Sequence, residues 1–284
     1  MRSGFCGLAL ARESHFANVL LCVWFKKEKK GGKNVFKKFH FKMQLDKIYN
    51  DDCLNIMAQM PDDYCDLTVT SPPYNFNAGS GLGTKYNNTF KDNLSQEQYF
   101  DWSVKVITEC MRVSKLVAWN IQMIAGNKEA LFKYIGHFHK EIREVLIWDK
   151  QYSEPAMNEK VFNSEFEFII LFDKNGGGRK IEQAQFERGT VANVIRQNKS
   201  KNSIKSKNKQ ENHFAVFPDV LPAKLIHYFS KEGDVIFEPF IGSGTTALSA
   251  LKYKRKFIGC ELVKEYFDIA EQRIKDAQSQ TFLF

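Results

Sequence analysis

Two short segments of the chain carry residue types and spacings that could do chemistry. In the first, "DVIFEPFIGSGTTALSA", a hydrophobic strand leads into Gly242, Ser243 and Gly244 and then into a helix. Gly242 to Ala247 fits the pattern G-x-G-x-x-A, whose glycines allow a tight turn and a close approach of the backbone to a ligand. Glu261 ends the next predicted strand, where a carboxylate can accept hydrogen bonds from both hydroxyls of a ribose. The pattern indicates a cofactor that contains a nucleoside, without identifying it.

The second segment is "VTSPPYN", Val69 to Asn75, which directly follows a β-branched run. Two adjacent prolines cannot donate to a sheet ladder, and each restricts the residue before it to extended conformations. The chain therefore leaves a buried strand through a stiff corner, with Ser71 before the prolines and Tyr74 after them. The residues alone leave open what this corner positions.

Two other nucleotide-binding classes fit the glycine motif poorly. A dinucleotide-dependent dehydrogenase would need a second βαβ half after its fingerprint, and the 284-residue chain has too few residues left after Gly244 to build one. A P-loop NTPase needs a lysine after the glycines, and "GSGTT" has none.

The elements around both motifs predict a parallel α/β sheet. From Met43 onward, strand-like runs such as "CDLTVTS", "KLVAWNIQ" and "KFIGCEL" alternate with segments of helical periodicity. Ser95 and Gln98 form a predicted capping box at the start of one helix. We expect a Rossmann-like α/β fold, with a mostly parallel twisted sheet and helices on both of its faces.

The chain divides into four predicted parts. Residues 1–42 form a basic N-terminal extension without clear periodicity, and residues 43–173 form one half of the domain with the Pro-Pro corner. Residues 174–212 form a lysine-rich surface insertion, and residues 213–284 form the half with the glycine motif. Three interpretations of residues 1–42 remain open: an over-extended reading frame ahead of Met43, a basic DNA-binding arm, or a solvated tail.

Composition limits the class of protein. The formal net charge of +8 suits a polyanionic partner but equally suits any basic protein. The six cysteines are scattered, with no C-x-x-C pair, which favours a reducing compartment and argues against a metal site or a disulfide framework. No stretch approaches the roughly 20 apolar residues of a membrane span. We therefore expect a cytoplasmic protein that does not enter the membrane.

The pair of motifs, "TSPPY" upstream of "FEPFIGSGTT", resembles the signature of DNA amino-methyltransferases in their β arrangement. The resemblance covers most of residues 44–278 and leaves out residues 1–42. It implies transfer of a methyl group from S-adenosyl-L-methionine to the exocyclic amine of a base flipped out of double-stranded DNA, at cytosine N4 or adenine N6. It also implies the modification enzyme of a restriction system, with a restriction endonuclease acting on the same site. The sequence does not indicate an oligomeric state.

The resemblance assigns catalytic roles to the corner. Ser71 and the carbonyl oxygen of Pro72 accept hydrogen bonds from the target amine, which frees the nitrogen lone pair for attack. Pro73 makes the corner rigid, an example of preorganisation. Tyr74 stacks on the flipped base.

The resemblance also implies the cofactor-binding residues. Glu238 faces the amino group of the methionine moiety, where the family more often has aspartate, and Glu261 binds the ribose. The remaining candidates border the cofactor: Asp52, Cys53, Phe217, Pro218, Phe240, Gly242, Gly244 and Thr245. Core packing is an equally good explanation for Phe217 and Phe240.

Several alternatives stay open at this point. The Thr70-Ser71 pair resembles the cytosine-N4 group, although serine also occurs in adenine enzymes. An RNA or protein-glutamine methyltransferase is less consistent with the motif order, and a catalytically dead DNA-binding relative is less consistent with intact motifs. Glu165 and Glu167 either border the target pocket or end a strand. We expect residues 174–212 and the glycine-rich loop 75–88 to contact DNA.

Overall fold

The computed structural model describes residues 10–12, 19–30, 33–76, 92–153, 159–198 and 218–281. Only the backbone is described for residues before Met43 and for residues 280 and 281. The predicted cofactor residue Phe217, loop residues 77–88 and insertion residues 199–212 therefore lie outside the described part of the chain.

Strands and helices alternate along most of the described chain, as predicted. The strands are Leu10–Arg12 (β1), Val19–Lys30 (β2), Lys33–Gln44 (β3), Lys47–Tyr49 (β4), Cys65–Thr70 (β5), Ser114–Ile121 (β6), Ile142–Asp149 (β7), Phe166–Phe172 (β8), Val194–Arg196 (β9), Val235–Glu238 (β10) and Lys256–Cys260 (β11). The helices are Cys53–Met57 (α1), Gln96–Val113 (α2), Lys128–His137 (α3), Val220–Phe229 (α4), Thr245–Lys252 (α5) and Lys264–Thr281 (α6).

Eight strands form the main sheet, in the order β4-β11-β10-β5-β6-β8-β7-β9. Neighbouring strands from β4 to β6 are parallel, and so are β7 and β9. Strand β8 runs antiparallel to both of its neighbours, β6 and β7. The sheet is therefore mostly parallel, which confirms the predicted Rossmann-like α/β fold.

Helices cover both faces of this sheet, because its strands are buried on both sides. On one face, α1, α2 and α3 bury a core that includes Met57, Ile107 and Leu131. On the other, α4, α5 and α6 bury a second core that includes Leu225 and Ala250. The predicted two-sided arrangement is confirmed.

Helix starts follow the local sequence. The predicted capping box of α2 is present, since Ser95 accepts from the backbone N–H of Gln98 and the Gln98 side chain accepts from the backbone N–H of Ser95. Asp52 caps α1 by accepting from the backbone N–H of Leu54 at 2.8 Å. Such caps satisfy donors that have no partner within the helix.

Two features lie outside this alternation. Strands β1, β2 and β3 form a separate antiparallel sheet, and β3 crosses the predicted boundary between residues 42 and 43. Strand β9 lies inside the lysine-rich insertion and pairs with β7, so β9 is the edge strand at that side of the sheet. Sequence patterns missed β9 because it is only three residues long. None of the described helices combines the length and apolarity that crossing a bilayer requires.

Candidate active site

The two sequence motifs meet at the carboxyl ends of two central strands of the main sheet. Strands β5 and β10 are adjacent and parallel, so Thr70 and Glu238, their last residues, lie side by side. The hydroxyl of Thr70 donates to the carboxylate of Glu238. After β5 the chain continues to β6 on one side of this pair, and after β10 it continues to β11 on the other side. Open α/β sheets bind ligands at such a switch point in strand order. The Pro-Pro corner and the glycine motif are therefore brought together by Thr70 and Glu238, which are 168 residues apart in sequence.

The Pro-Pro corner is held from the α2 side. The hydroxyl of Tyr99, a buried residue of α2, donates to the carbonyl oxygen of Pro73 at 2.7 Å. Within the described residues, no donor reaches the carbonyl of Pro72. The arrangement thus leaves the Pro72 carbonyl able to accept a hydrogen bond from a substrate, as the sequence prediction requires.

Two asparagines fix the backbone beyond the corner. Asn75 has φ +61°, and its buried side chain donates to the carbonyls of Leu94 and Gly126 and accepts from the Leu94 N–H. Asn127, also buried, donates to the carbonyl of Tyr74 at 3.0 Å. Asparagine tolerates positive φ better than most residues. Neither role was predicted from the sequence. The position of Asn75 directly after Pro-Pro-Tyr could have indicated that its side chain fixes the backbone there.

The hydroxyl of Tyr74 is the centre of a hydrogen-bond network. It donates to a carboxylate oxygen of Glu167 at 2.8 Å and accepts from the side-chain amide of Asn120 at 2.7 Å. The Ser71 hydroxyl lies 2.9 Å away. Because the single proton of Tyr74 goes to Glu167, the Ser71 hydroxyl donates to Tyr74, and the lone pairs of Ser71 remain free to accept. Glu167 is the second residue of β8, so it does not end a strand, and its carboxylate contacts the Pro-Pro corner through Tyr74.

A buried ion pair anchors this network. Lys150 follows β7, has 0% of its surface exposed, and its ammonium lies 3.3 Å from the Glu167 carboxylate and 3.1 Å from the Gln122 side-chain oxygen. Asn120 also donates to Glu167 at 2.7 Å. Buried charges need such partners because they have lost their hydration. Asn120 and Lys150 had no sequence signal, since neither lies in a recognisable motif.

The glycine loop crosses the ends of β10 and β11. Gly242 and Gly244 have φ of +50° and +87°, a conformation that favours glycine. A Cβ on Gly244 would lie 3.3 Å from the Cβ of Ala270, so the loop also packs closely on α6. The Glu261 carboxylate accepts from the backbone N–H groups of Gly242 and Val263, at 2.9 Å each. Its remaining lone pairs can accept from ligand hydroxyls.

Glu238 is a buried carboxylate with neutral donors around it. Besides Thr70, the hydroxyl of Thr246 donates to it at 2.9 Å and the Phe240 N–H at 3.1 Å. Burial raises the pKa of Glu238 to about 8, although these hydrogen bonds act in the opposite direction. No cation among the described residues pairs with it. Burial also raises the pKa of Glu261.

The other predicted cofactor residues that the structure describes are buried or half-buried. Cys53 is buried, and burial raises the pKa of its thiol well above the usual range. Phe240 packs against Trp102 and Trp119, with ring centroids 5.6 and 6.4 Å apart, so core packing accounts for much of its environment. Thr245 is the buried first residue of α5. Pro218 is buried ahead of α4, and its carbonyl accepts from the backbone N–H of Leu221 at 2.9 Å.

Comparison with known proteins identifies the family. The family model for DNA methylases that act on N6 or N4 matches residues 65–272, well over half of the chain. The chain belongs to this DNA methylase family. Its members use S-adenosyl-L-methionine, which is the cofactor of this methylase. The match includes both the Pro-Pro corner and the glycine loop.

Individual relatives agree with the family. The methylase is 28% identical over 272 residues to the type II methyltransferase M.BglII of Bacillus subtilis, covering 81% of this chain and 69% of that protein. Its fold is similar to that of the cytosine-N4-specific PvuII DNA methyltransferase, with a TM-score of 0.60, 19% identity, and 82% and 91% of the two chains covered. It is also similar to M1.HpyAVI, solved with S-adenosyl-L-methionine, with a TM-score of 0.52, 22% identity, and 80% and 98% covered.

The residues of the methylase fit this cofactor. A buried carboxylate that lacks a cationic partner is costly, and a ligand that brings a positively charged amino group removes that cost. Glu238 is such a carboxylate. Glu261 offers anchored oxygens for ribose hydroxyls, and the Gly242–Gly244 turn allows a close backbone approach.

A pH-dependent stability follows from Glu238. Its pKa is about 8 in the folded methylase, against a usual value of 4.5, so the folded state binds this proton more tightly than the unfolded state. The group's contribution to the free energy of unfolding therefore falls as pH rises through this interval. We expect cofactor-free Glu238→Gln to unfold at least about 2 °C higher than the wild type near pH 8.5, and close to the wild type near pH 5.

Thermal unfolding without cofactor at both pH values measures this difference. Glu265→Gln, at an exposed position in the first turn of α6, is the matched control. If Glu238→Gln changed the unfolding temperature equally at both pH values, the pKa of Glu238 would not be raised in the folded protein.

Proposed function

We propose that this methylase modifies N4 of cytosine in double-stranded DNA. The observation that carries the proposal is the 2.9 Å contact between the Ser71 and Tyr74 hydroxyls, from which we infer that Ser71 donates to Tyr74 and keeps its lone pairs for the substrate. A carboxylate at this position could only accept, whereas a hydroxyl can accept from the amine and donate to its neighbour at once. This agrees with the resemblance of Thr70-Ser71 to the cytosine-N4 group.

In the proposed mechanism, the corner makes the target amine a better nucleophile. The lone pair of an exocyclic amine is delocalised into the ring, and two acceptors, Ser71 Oγ and the Pro72 carbonyl, draw the nitrogen toward tetrahedral geometry. Tyr74 stacks on the base and holds it at the corner. The cofactor supplies an activated methyl group on its sulfonium. Prolines, Tyr99 and Asn127 hold the acceptors in place beforehand, so little reorganisation is needed during the reaction.

The same proposal extends to the other predicted residues. Asp52, Cys53, Phe217, Pro218, Phe240 and Thr245 border the cofactor, whose main contacts are Glu238, Glu261, Gly242 and Gly244. Residues 43–173 and 213–284 are the catalytic and cofactor-binding halves of one domain, and residues 174–212 are its target-recognition region. The protein works in the cytoplasm beside a restriction endonuclease that cuts the same site.

Nucleoside analysis tests the proposed target. The protein is incubated with labelled S-adenosyl-L-methionine and DNA of mixed sequence, and the DNA is then digested to nucleosides. We expect the label in N4-methylcytosine. Label found only in N6-methyladenine would overturn the choice of base while leaving the amino-methyltransferase assignment intact.

The topology supports a DNA-binding role for the insertion. Strand β9 is parallel to β7. The chain therefore leaves β9 at the same end of the strands at which Lys150 and the Pro-Pro corner lie. The lysine-rich stretch 199–209 follows directly in sequence. We propose that the lysines of this stretch contact the phosphates that flank the target base.

Salt dependence tests this role. Replacing Lys201, Lys205 and Lys207 with glutamine is expected to weaken DNA binding and to lower the slope of log K against log salt by about 0.9 for each phosphate that the variant no longer neutralises. The matched control replaces three exposed lysines that precede β10 and β11, at the amino ends of the strands: Lys231, Lys252 and Lys254. An equal change of slope in both triple variants would show that only the net charge matters.

We also predict that a chain beginning at Met43 remains active. The sheet of β1, β2 and β3 is separate from the main sheet, and the shortened chain keeps Met43, whose side chain is buried in the core. Methylation and DNA binding of the shortened protein, measured beside the full chain, check this. Loss of DNA binding with an unchanged thermal unfolding transition would instead identify residues 1–42 as a DNA-binding arm.

A further inference from the structure

Four apolar side chains are exposed in the described parts of the segment that runs from the end of β7 to the start of β8. Phe162 is 97% exposed, and Tyr152, Val161 and Phe166 are exposed as well. Phe166, at the start of β8, packs on Phe168 with ring centroids 5.3 Å apart. Several exposed apolar residues close together in the chain mark an interaction surface more clearly than a single one does.

Backbone hydrogen bonds place this connection next to the catalytic network. The N–H of Lys150 donates to the carbonyl of Glu165 at 2.9 Å, and the N–H of Glu165 donates to the carbonyl of Asn163 at 3.1 Å. Lys150 is the buried partner of Glu167, whose carboxylate accepts from Tyr74. Phe162 directly precedes Asn163 in sequence. It is therefore adjacent to the residues whose backbones bond to Lys150, and Lys150 pairs with the Glu167 carboxylate that binds Tyr74.

Packing among the described residues does not account for an apolar side chain at position 162. This side chain belongs to neither hydrophobic core, so the fold gains no burial from it. Residues 159–165 carry two exposed carboxylates, those of Glu159 and Glu165, and one exposed ammonium, that of Lys160, so their net negative charge does not attract phosphates. The surface therefore suits an uncharged, flat, apolar partner better than a sugar–phosphate backbone.

Base flipping creates such a partner. When the target base leaves the duplex for the corner, it leaves a gap between the neighbouring base pairs, and DNA-bending proteins fill unstacked steps with apolar side chains such as phenylalanine. We propose that Phe162 enters the base stack and fills the gap left by the target base. This inference rests on the proposed function, because it requires a base flipped from double-stranded DNA.

The test compares paired and mispaired target bases. Phe162→Ala is assayed on a duplex that the wild-type protein methylates, and on the same duplex with a mismatch opposite the target base. We expect kcat/KM of Phe162→Ala to be lower than wild type by about tenfold or more on the paired duplex, because the variant cannot stabilise the opened stack. A mismatched base is already partly unstacked, so the mismatch should bring the variant to within about twofold of the wild type.

Two control variants make the result specific. Phe132→Ala, at a phenylalanine of α3 that is 56% exposed, should match the wild type on both duplexes. Phe162→Trp keeps a large flat side chain and should retain most of the activity. Wild-type activity of Phe162→Ala on the paired duplex, or a deficit that the mismatch does not relieve, would overturn the inference. A wild-type protein that methylates no DNA would instead overturn the proposed function.

Discussion

Tyr74→Ala is expected to lower kcat by about two orders of magnitude while changing the dissociation constant of S-adenosyl-L-methionine by less than about twofold. The substitution removes the ring that holds the flipped base and the hydroxyl that accepts from Ser71. It leaves Glu238 and Glu261 with their hydrogen-bond donors. Single-turnover methylation and calorimetric titration of the cofactor measure the two effects separately.

Two variants complete this experiment. Tyr74→Phe keeps the ring and removes the hydroxyl, so its kcat should fall between those of the wild type and Tyr74→Ala. Glu261→Ala should do the reverse of Tyr74→Ala and weaken cofactor binding, since it removes the anchored carboxylate. If calorimetry showed that Tyr74→Ala abolishes cofactor binding, the division of the site into a base-binding corner and a cofactor loop would be wrong.

Breaking the Lys150–Glu167 pair is expected to destabilise the protein by about 3–5 kcal/mol, because either single replacement leaves an uncompensated buried charge. Lys150→Met and Glu167→Gln should each show this destabilisation in denaturant unfolding. The double variant Lys150→Met with Glu167→Gln contains no unpaired charge, so it should recover most of the stability. Stability and kcat are then measured on the same three proteins.

The kinetics of the double variant separate a positioning role from a structural one. Glu167 accepts from Tyr74 and Asn120, and that arrangement directs the Ser71 hydroxyl toward Tyr74. We therefore expect the double variant to keep a lowered kcat, with an unchanged dissociation constant for the cofactor, even where its stability has recovered. Recovery of kcat together with stability would show that the pair only supports the fold.

Much of the fold could be predicted because its signals are local. The capping box at Ser95 and Gln98 depends on hydrogen bonds within one helical turn, and the glycine loop depends on backbone conformations of single residues. Strand β9 could not be predicted, because three residues carry no usable periodicity and its stability depends on the edge of β7.

The candidate site also has parts that local sequence patterns predict and parts that they do not. The strand–helix alternation, the stiff corner at Pro72 and Pro73, and the glycine loop could be predicted, because each follows from the chemistry of adjacent residues. The hydrogen bonds of Asn120 and Glu167 to Tyr74, and the pairing of Lys150 with Glu167, depend on tertiary contacts. Asn120, Lys150 and Glu167 come from β6, the end of β7 and β8, and they meet because antiparallel β8 lies between the other two strands. Strand order is set by packing over the whole sheet, and no local pattern encodes it.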